Sequence, residues 1–282
     1  MNARKVSSPR RRGRGLVTLS LSGAGLEVIK PRARDPEITE ADIHLGRLGE
    51  GFSGLRIVHL TDVHHSLFTP IEEVERTVQL ANRLRPDVVA LTGDYVTLSP
   101  ACVEPVARAL GRLSSRLGVY AVLGNHDFQV DPDAITRALE TEGIMVLRNR
   151  HHALHAARDR LWLVGVDDLW WEADDFRRAF RRVPSRDPKI LLCHNPLGIR
   201  HAVRHGVDLV LSGHTHGGQV RLPFFERLYT RSRLGERFIE GWNQLGRTQI
   251  YVSRGIGKVV LPLRLACPPE IACLRLRRAA RS

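Results

Sequence analysis

Five short stretches of the chain carry oxygen and nitrogen ligands of the kind divalent cations prefer, in one order: Asp62-Val63-His64, Gly93-Asp94, Gly124-Asn125-His126-Asp127, Cys193-His194-Asn195 and Gly213-His214-Thr215-His216. A carboxylate is anionic and has two oxygens, so it can be shared between two cations. Imidazole nitrogens suit Zn, Mn or Fe better than Mg alone. The set Asp62, His64, Asp94, Asn125, His194, His214 and His216 is large enough to hold two such ions, and the chemistry a cation pair supports is hydrolysis. His214 and His216 are two residues apart, so on an extended segment both project to one face. Gly213, Gly217 and Gly218 let the backbone there turn tightly and let a substrate approach.

Each of these stretches follows an apolar run that reads as a β-strand: residues 55–60, 88–92, 119–123, 190–193 and 209–212. Helices are expected between them. Thr69-Pro70-Ile71-Glu72 reads as a capping box with proline at the first helical position, and Ile71, Val74, Val78 and Ala81 follow helical spacing. Further helices are predicted over 103–113, from Asp131-Pro132 to about 140, over 173–182 and over 199–204. Residues 162–166 read as a strand ending in Asp167-Asp168, a pair expected to cap the next helix, while 249–253 and 271–276 read as closing strands. Residues 221–248 show no period and are expected to form a long loop near the site. Alternating strands and helices make an α/β class, and open α/β sheets bind ligands at the C-terminal ends of their strands.

Composition narrows the function. Lys and Arg exceed Asp and Glu by 13. Arg4, Lys5, Arg10, Arg11, Arg12 and Arg14 lie near the start and Arg275, Arg277, Arg278 and Arg281 near the end, so the body between is close to balanced. Basic ends attract an anionic membrane surface, whereas a balanced body disfavours a nucleic-acid groove. No apolar run reaches the roughly 20 residues of a membrane span. Arg10-Arg11-Arg12 before residues 16–26 could be a twin-arginine export signal, but Ser20, Ser22, Gly23 and Gly25 interrupt the apolar part, and Leu19 and Leu21 alternate with serine as in a strand. The expectation is a cytoplasmic protein, with peripheral attachment to the inner membrane ranked next and export last. Residues 1–37 are expected to be a basic tail and 38–282 one catalytic domain. Four scattered cysteines form neither a zinc ribbon nor a disulfide framework. His65 is excluded from the site because it would point away from His64. Trp170-Trp171 is expected to pack in the core or a loop, with an apolar entrance for an acyl chain as the alternative.

The five motifs, in this order, resemble those of the calcineurin-like metallophosphoesterase family over roughly residues 55–220. The resemblance implies a four-layer α/β/β/α sandwich. It implies that Asp62, His64, Asp94 and His216 hold one metal and that Asp94, Asn125, His194 and His214 hold the other, with Asp94 bridging. His126 would be the unligated imidazole that stabilises phosphoryl oxygens or protonates the leaving group, and Asp127 would orient it. The implied reaction is in-line attack of a metal-bridging hydroxide on a phosphodiester or pyrophosphate, with His126 and Arg254 neutralising charge. Gly54-Leu55-Arg56-Ile57-Val58, Gly217-Gly218-Gln219, Arg254-Gly255-Ile256-Gly257 and Leu261-Pro262-Leu263-Arg264 are similar to a bacterial branch of membrane-linked phosphodiesterases. That branch includes a UDP-diacylglucosamine pyrophosphate hydrolase, so a lipid-linked or nucleotide-linked substrate is implied. No obligate protein partner is inferred. The competing readings are a nuclease and a non-catalytic metal-binding scaffold.

Overall fold

Runs such as Val88-Val89-Ala90-Leu91 have no polar face, so strands built from them must be covered on both sides. The computed structural model, which describes residues 20–22, 25–27, 35–221 and 238–279, shows how they are covered. The chain divides into two units at Arg34 and Asp35. In the first, β1 (Ser20–Ser22) pairs antiparallel with β2 (Gly25–Glu27). The Arg10-Arg11-Arg12 triplet lies outside the described residues.

The second unit continues with β3 (Glu37–Leu45), β4 (Arg56–Leu60), α1 (Ile71–Arg83), β5 (Val88–Thr92), α2 (Val103–Leu110), β6 (Val119–Val122), α3 (Asn125–Val130), α4 (Pro132–Thr141) and β7 (Met145–Val146). Then follow β8 (Arg150–Ala156), β9 (Asp159–Gly165), α5 (Phe176–Ala179), β10 (Lys189–Leu192), α6 (Ile199–Arg204), β11 (Leu209–Ser212), β12 (Gly241–Leu245), β13 (Thr248–Val252) and β14 (Glu270–Arg278). Two six-stranded sheets result, ordered β3-β14-β4-β5-β6-β7 and β12-β13-β11-β10-β9-β8. Strands β4 to β7 run parallel, and so do β9, β10, β11 and β13. The last strand, β14, returns to the first sheet, antiparallel to β4 and parallel to β3.

Alternation along each strand separates the faces. Ile57, Val88, Ala90 and Val122 meet Leu163, Ile190, Leu192 and Leu211 between the sheets. Val58, Leu60, Val89 and Leu91 pack outward against Val74, Val78, Val106 and Leu139 of the helices. On the far side Val164, Leu191 and Val210 meet Phe176, Ala179, Ile199 and Ala202. These are the four layers of an α/β/β/α sandwich.

Several expectations are corrected. Helix α1 is capped by Pro70 without a side-chain bond, and Thr69 Oγ1 instead accepts the Lys258 amide at 3.1 Å. The helix expected over 173–182 contracts to α5, which is capped by Asp175 rather than by Asp167 or Asp168. Part of the expected loop 221–248 is β12, paired with β13, while residues 222–237 lie outside the described ones. The basic C-terminus is strand as far as Arg278: Arg277 pairs with Asp42 and Arg278 with Glu50, each at 3.3 Å. The second compact unit starts at Asp35, and its first strand, β3, opens at Glu37. No helix among the described residues is long and apolar enough to cross a membrane.

One inter-sheet residue makes stability depend on pH. His59 is fully buried, its Nε2 lies 2.8 Å from Thr92 Oγ1, and its Nδ1 has no partner. Burial depresses its pKa from the usual 6.5 to about 4. The folded state therefore favours the neutral ring, so this contribution is complete above pH 6.5 and is lost as pH falls toward 4. The loss amounts to about 3 kcal/mol of unfolding free energy. Urea unfolding at several pH values should show that slope in the wild type and a shallower one in His59→Leu.

Candidate metal centre

The parallel strands deliver the five motifs to one place. Asp62 and His64 follow β4, Asp94 follows β5, Asn125 opens α3 after β6, His194 follows β10, and His214 and His216 follow β11. Five of these seven residues, Asp62, His64, Asp94, His214 and His216, have φ between 47° and 71°. Left-handed backbone is uncommon outside glycine, and its clustering marks a site whose surroundings hold it against strain. Hydrogen bonds across the loops do the holding: the amides of Asp62 and His64 donate to the carbonyls of Gly93 and Asp94, at 3.0 and 2.9 Å. Gly213 cannot be replaced without overlap, since a Cβ there would fall on the carboxylate of Asp62 and the hydroxyl of Thr61.

The ligand atoms converge. Asp94 Oδ2 lies 3.4 Å from His64 Nε2 and 3.2 Å from His194 Nε2. His64 Nε2 and His216 Nε2 are 3.1 Å apart, and Asp62 Oδ1 lies 3.3 Å from His216 Nε2. On the other side His214 Nδ1 lies 2.8 Å from Asn125 Oδ1 and 3.2 Å from His194 Nε2. Asp62, His64 and His216 form one group of ligand atoms within 4.8 Å of one another, and Asp62, Asp94 and His194 form another. Imidazole lone pairs directed at each other around carboxylate oxygens are the donor set of a cation, so these residues fit divalent metals. The ring nitrogens on the far side are held as metal-binding histidines require. His194 Nδ1 donates to the Thr92 carbonyl at 2.7 Å, and His64 Nδ1 meets Thr97 Oγ1 at 3.2 Å.

Burial and charge set the protonation states. Burial alone would depress His194, but Asp94 beside it, then Asp62, raises it to about 10. Burial, with His194 adjacent, pushes His214 down to about 4, and burial together with His64 and Arg264 holds His216 well below its usual value. Burial raises Asp62, while Asp94 is held well below the carboxylate range because the attraction of His194 and His64 outweighs burial.

Residues 55–218 match the family model for calcineurin-like phosphoesterases. The chain belongs to that family. A Bacillus subtilis (strain 168) protein named uncharacterized metallophosphoesterase YkuE is 34% identical over 86% of this chain and 85% of its own length. Phosphodiesterase YaeI of Escherichia coli (strain K12) is 31% identical over 79% of this chain and 82% of its own. The crystal structure of TT1561 of Thermus thermophilus shares the fold, with TM-score 0.50 at 14% identity over 72% of this chain and 91% of that one. The protein is accordingly a metal-dependent phosphoric ester hydrolase whose family uses divalent cations.

Around the phosphoesterase site, several residues take other places than expected. Asp127 does not reach the His126 ring. Its carboxylate accepts the amides of Asp94, Tyr95 and Gly124, each at 2.8 Å, and so fixes the backbone of two motifs at once. Burial and nearby Asp94 push it up to about 7. The His126 ring is oriented by Thr97 instead, whose carbonyl accepts from Nδ1 at 3.1 Å. Arg254 is not open to a phosphoryl group, because its guanidinium is engaged by Glu37 at 3.2 Å and Glu270 at 3.5 Å. Arg264, absent from the expected site, reaches His216 Nδ1 at 3.2 Å and donates to the Gly257 carbonyl. Of the two places expected for Trp170 and Trp171, core or loop, the structure shows the loop: they are 71% and 51% exposed, and the Trp170 ring lies 6.1 Å from that of His214. The Trp171 indole donates to the Asn125 carbonyl at 2.9 Å, and Asp168 Oδ1 accepts both tryptophan amides. Thr97 could have been found only from the rule that a metal-binding imidazole needs an acceptor behind it. His65 stays outside the site, with Nδ1 3.0 Å from the Thr69 carbonyl.

Proposed function

We propose that this phosphoesterase binds two divalent cations, Mn, Zn or Fe, and hydrolyses a phosphodiester or pyrophosphate bond. Asp62, His64, Asp94 and His216 would hold one ion, and Asp94, Asn125, His194 and His214 the other. The observation that carries the reading is the position of Asp94 Oδ2, within 3.4 Å of His64 and 3.2 Å of His194, where one carboxylate faces both ligand groups. Bound there, a cation pair supplies Lewis acidity to phosphoryl oxygens and lowers the pKa of water. The chain supplies the rest. His126 is half-buried, with its backbone amide on Asp94 Oδ1 at 2.9 Å and Nδ1 fixed on Thr97. With Nδ1–H kept on Thr97, Nε2 would donate to a phosphoryl or leaving oxygen from the doubly protonated ring.

The test combines metal analysis with turnover. The purified protein should contain two ions per chain and hydrolyse an aryl phosphodiester. Activity should disappear on chelation and return with Mn or Zn. Fewer than one ion per chain after reconstitution would overturn the reading. His126→Gln should keep its metal and lose about 10²–10³ in kcat, with a larger loss for an alkyl alcohol leaving group than for nitrophenol. Equal losses for both leaving groups would remove His126 from proton donation.

A further inference from the structure

Beside His214 and His216 lies a pocket of about 250 Å³ walled by Val220, Ile239, Val260 and Leu261. Two polar side chains also line it, and both are already engaged. Thr215 Oγ1 donates to the Ile239 carbonyl at 2.6 Å and accepts the Gly217 amide at 3.3 Å. Gln219 donates both amide hydrogens, to the carbonyls of Val259 at 2.8 Å and Leu261 at 3.1 Å, and accepts the Val259 amide at 3.0 Å. This clamp holds an unusual turn. The Leu261 amide donates to the Val259 carbonyl at 2.6 Å, closing a three-residue γ-turn with Val260 at φ 63°. Positive φ on a β-branched residue is strained and persists only where the surroundings impose it. The turn leaves Val260 71% and Leu261 41% exposed, and the same loop exposes Leu263 and Leu265. Apolar side chains exposed together at the edge of a reactive site mark a binding surface.

We propose that this pocket holds a hydrocarbon substituent of the phosphoester substrate, a proposal that rests on the hydrolase reading above. Among the described residues of the wall, a sugar or nucleobase would find no unengaged polar side chain apart from the histidines of the metal centre, which costs binding, whereas an alkyl or acyl chain needs no such partner and would cover the exposed walls. The pocket shares His214 and His216 with the metal centre, so a phosphoryl group at the ligands would place its substituent against Val260. Gln219, which the metal chemistry does not use, then has a role: it fixes the pocket wall to the turn that carries His216.

The experiment compares p-nitrophenyl phosphodiesters whose second ester is methyl or octyl, at monomeric concentrations and with Mn-loaded protein. Each fully buried methylene contributes about a fourfold gain, so even a partly enclosed chain should raise kcat/KM at least about tenfold. In Val260→Asp that ratio should fall toward one; aspartate tolerates positive φ better than valine, and the position is exposed, so the fold is kept. Leu261→Gln should act in the same direction. Equal kcat/KM for the two esters in the wild type, or an unchanged ratio in both variants, overturns the proposal. Calorimetric titration with octyl phosphate and methyl phosphate reads the pocket without turnover. Tighter octyl binding by wild type but not by Val260→Asp supports it, and equal binding overturns it. Failure to hydrolyse either diester with any metal would instead count against the hydrolase reading, with the titration still deciding the pocket.

Discussion

Asp94→Asn should lower phosphodiester turnover by at least about 10³-fold, some 4 kcal/mol of transition-state stabilisation, and leave fewer than two ions bound per chain. Both carboxylate oxygens have work at this position. Oδ1 accepts the His126 amide at 2.9 Å, and Oδ2 faces His64 and His194. Asparagine can keep the first contact but brings no charge to the second, and its amide hydrogens would face ring nitrogens or a cation. The fold should survive, because the substitution removes a buried charge without changing volume. Steady-state kinetics with elemental analysis of the same sample checks this; wild-type turnover in the variant would refute the assignment of the centre.

The second large effect concerns stability rather than chemistry. Asp127→Ala should destabilise the protein by about 3–5 kcal/mol, because buried amides of Asp94, Tyr95 and Gly124 lose a shared acceptor. For a domain of this size the melting temperature should fall by about 10 °C. Turnover should fall as well, since those amides hold the backbone that aims Asp94 and Asn125. Calorimetry of metal-free protein isolates the structural part. A melting temperature within about 2 °C of wild type would show that water or relaxation replaces the carboxylate.

The contrast between these two aspartates shows where sequence reasoning stops. Both stand in motifs, and their types announce metal chemistry. Only the packing of β5 against β6 shows that one side chain enters the centre while the other turns back to the amides. Arg254 illustrates the same limit, since its ion pairs reach Glu37, 217 residues away in the chain. Central strands were legible because burial on both faces demands unbroken apolar runs, as in β5 and β11. In the two large sheets the strands left unpredicted are all edges: β7 has only two residues, and the others are β3, β8 and β12. Their sequences, such as Arg150-His151-His152-Ala153 in β8, mix polar and apolar residues because one flank has no neighbour. Loop geometry around Val260 was equally hidden, since nothing in a Lys-Val-Val-Leu-Pro stretch forecasts positive φ at a valine.

The proposed ligands divide between the two sheets: Asp62, His64, Asp94 and Asn125 follow strands of the first, and His194, His214 and His216 follow strands of the second. During synthesis the amino-terminal set is complete long before its counterpart leaves the ribosome. A nascent chain halted before position 194 would therefore present only part of the proposed ligand set. On the two-cation proposal, ion capture would be a late event that reports the docking of both halves, and reagents that strip the ions would loosen the seam between the sheets before either sheet melts.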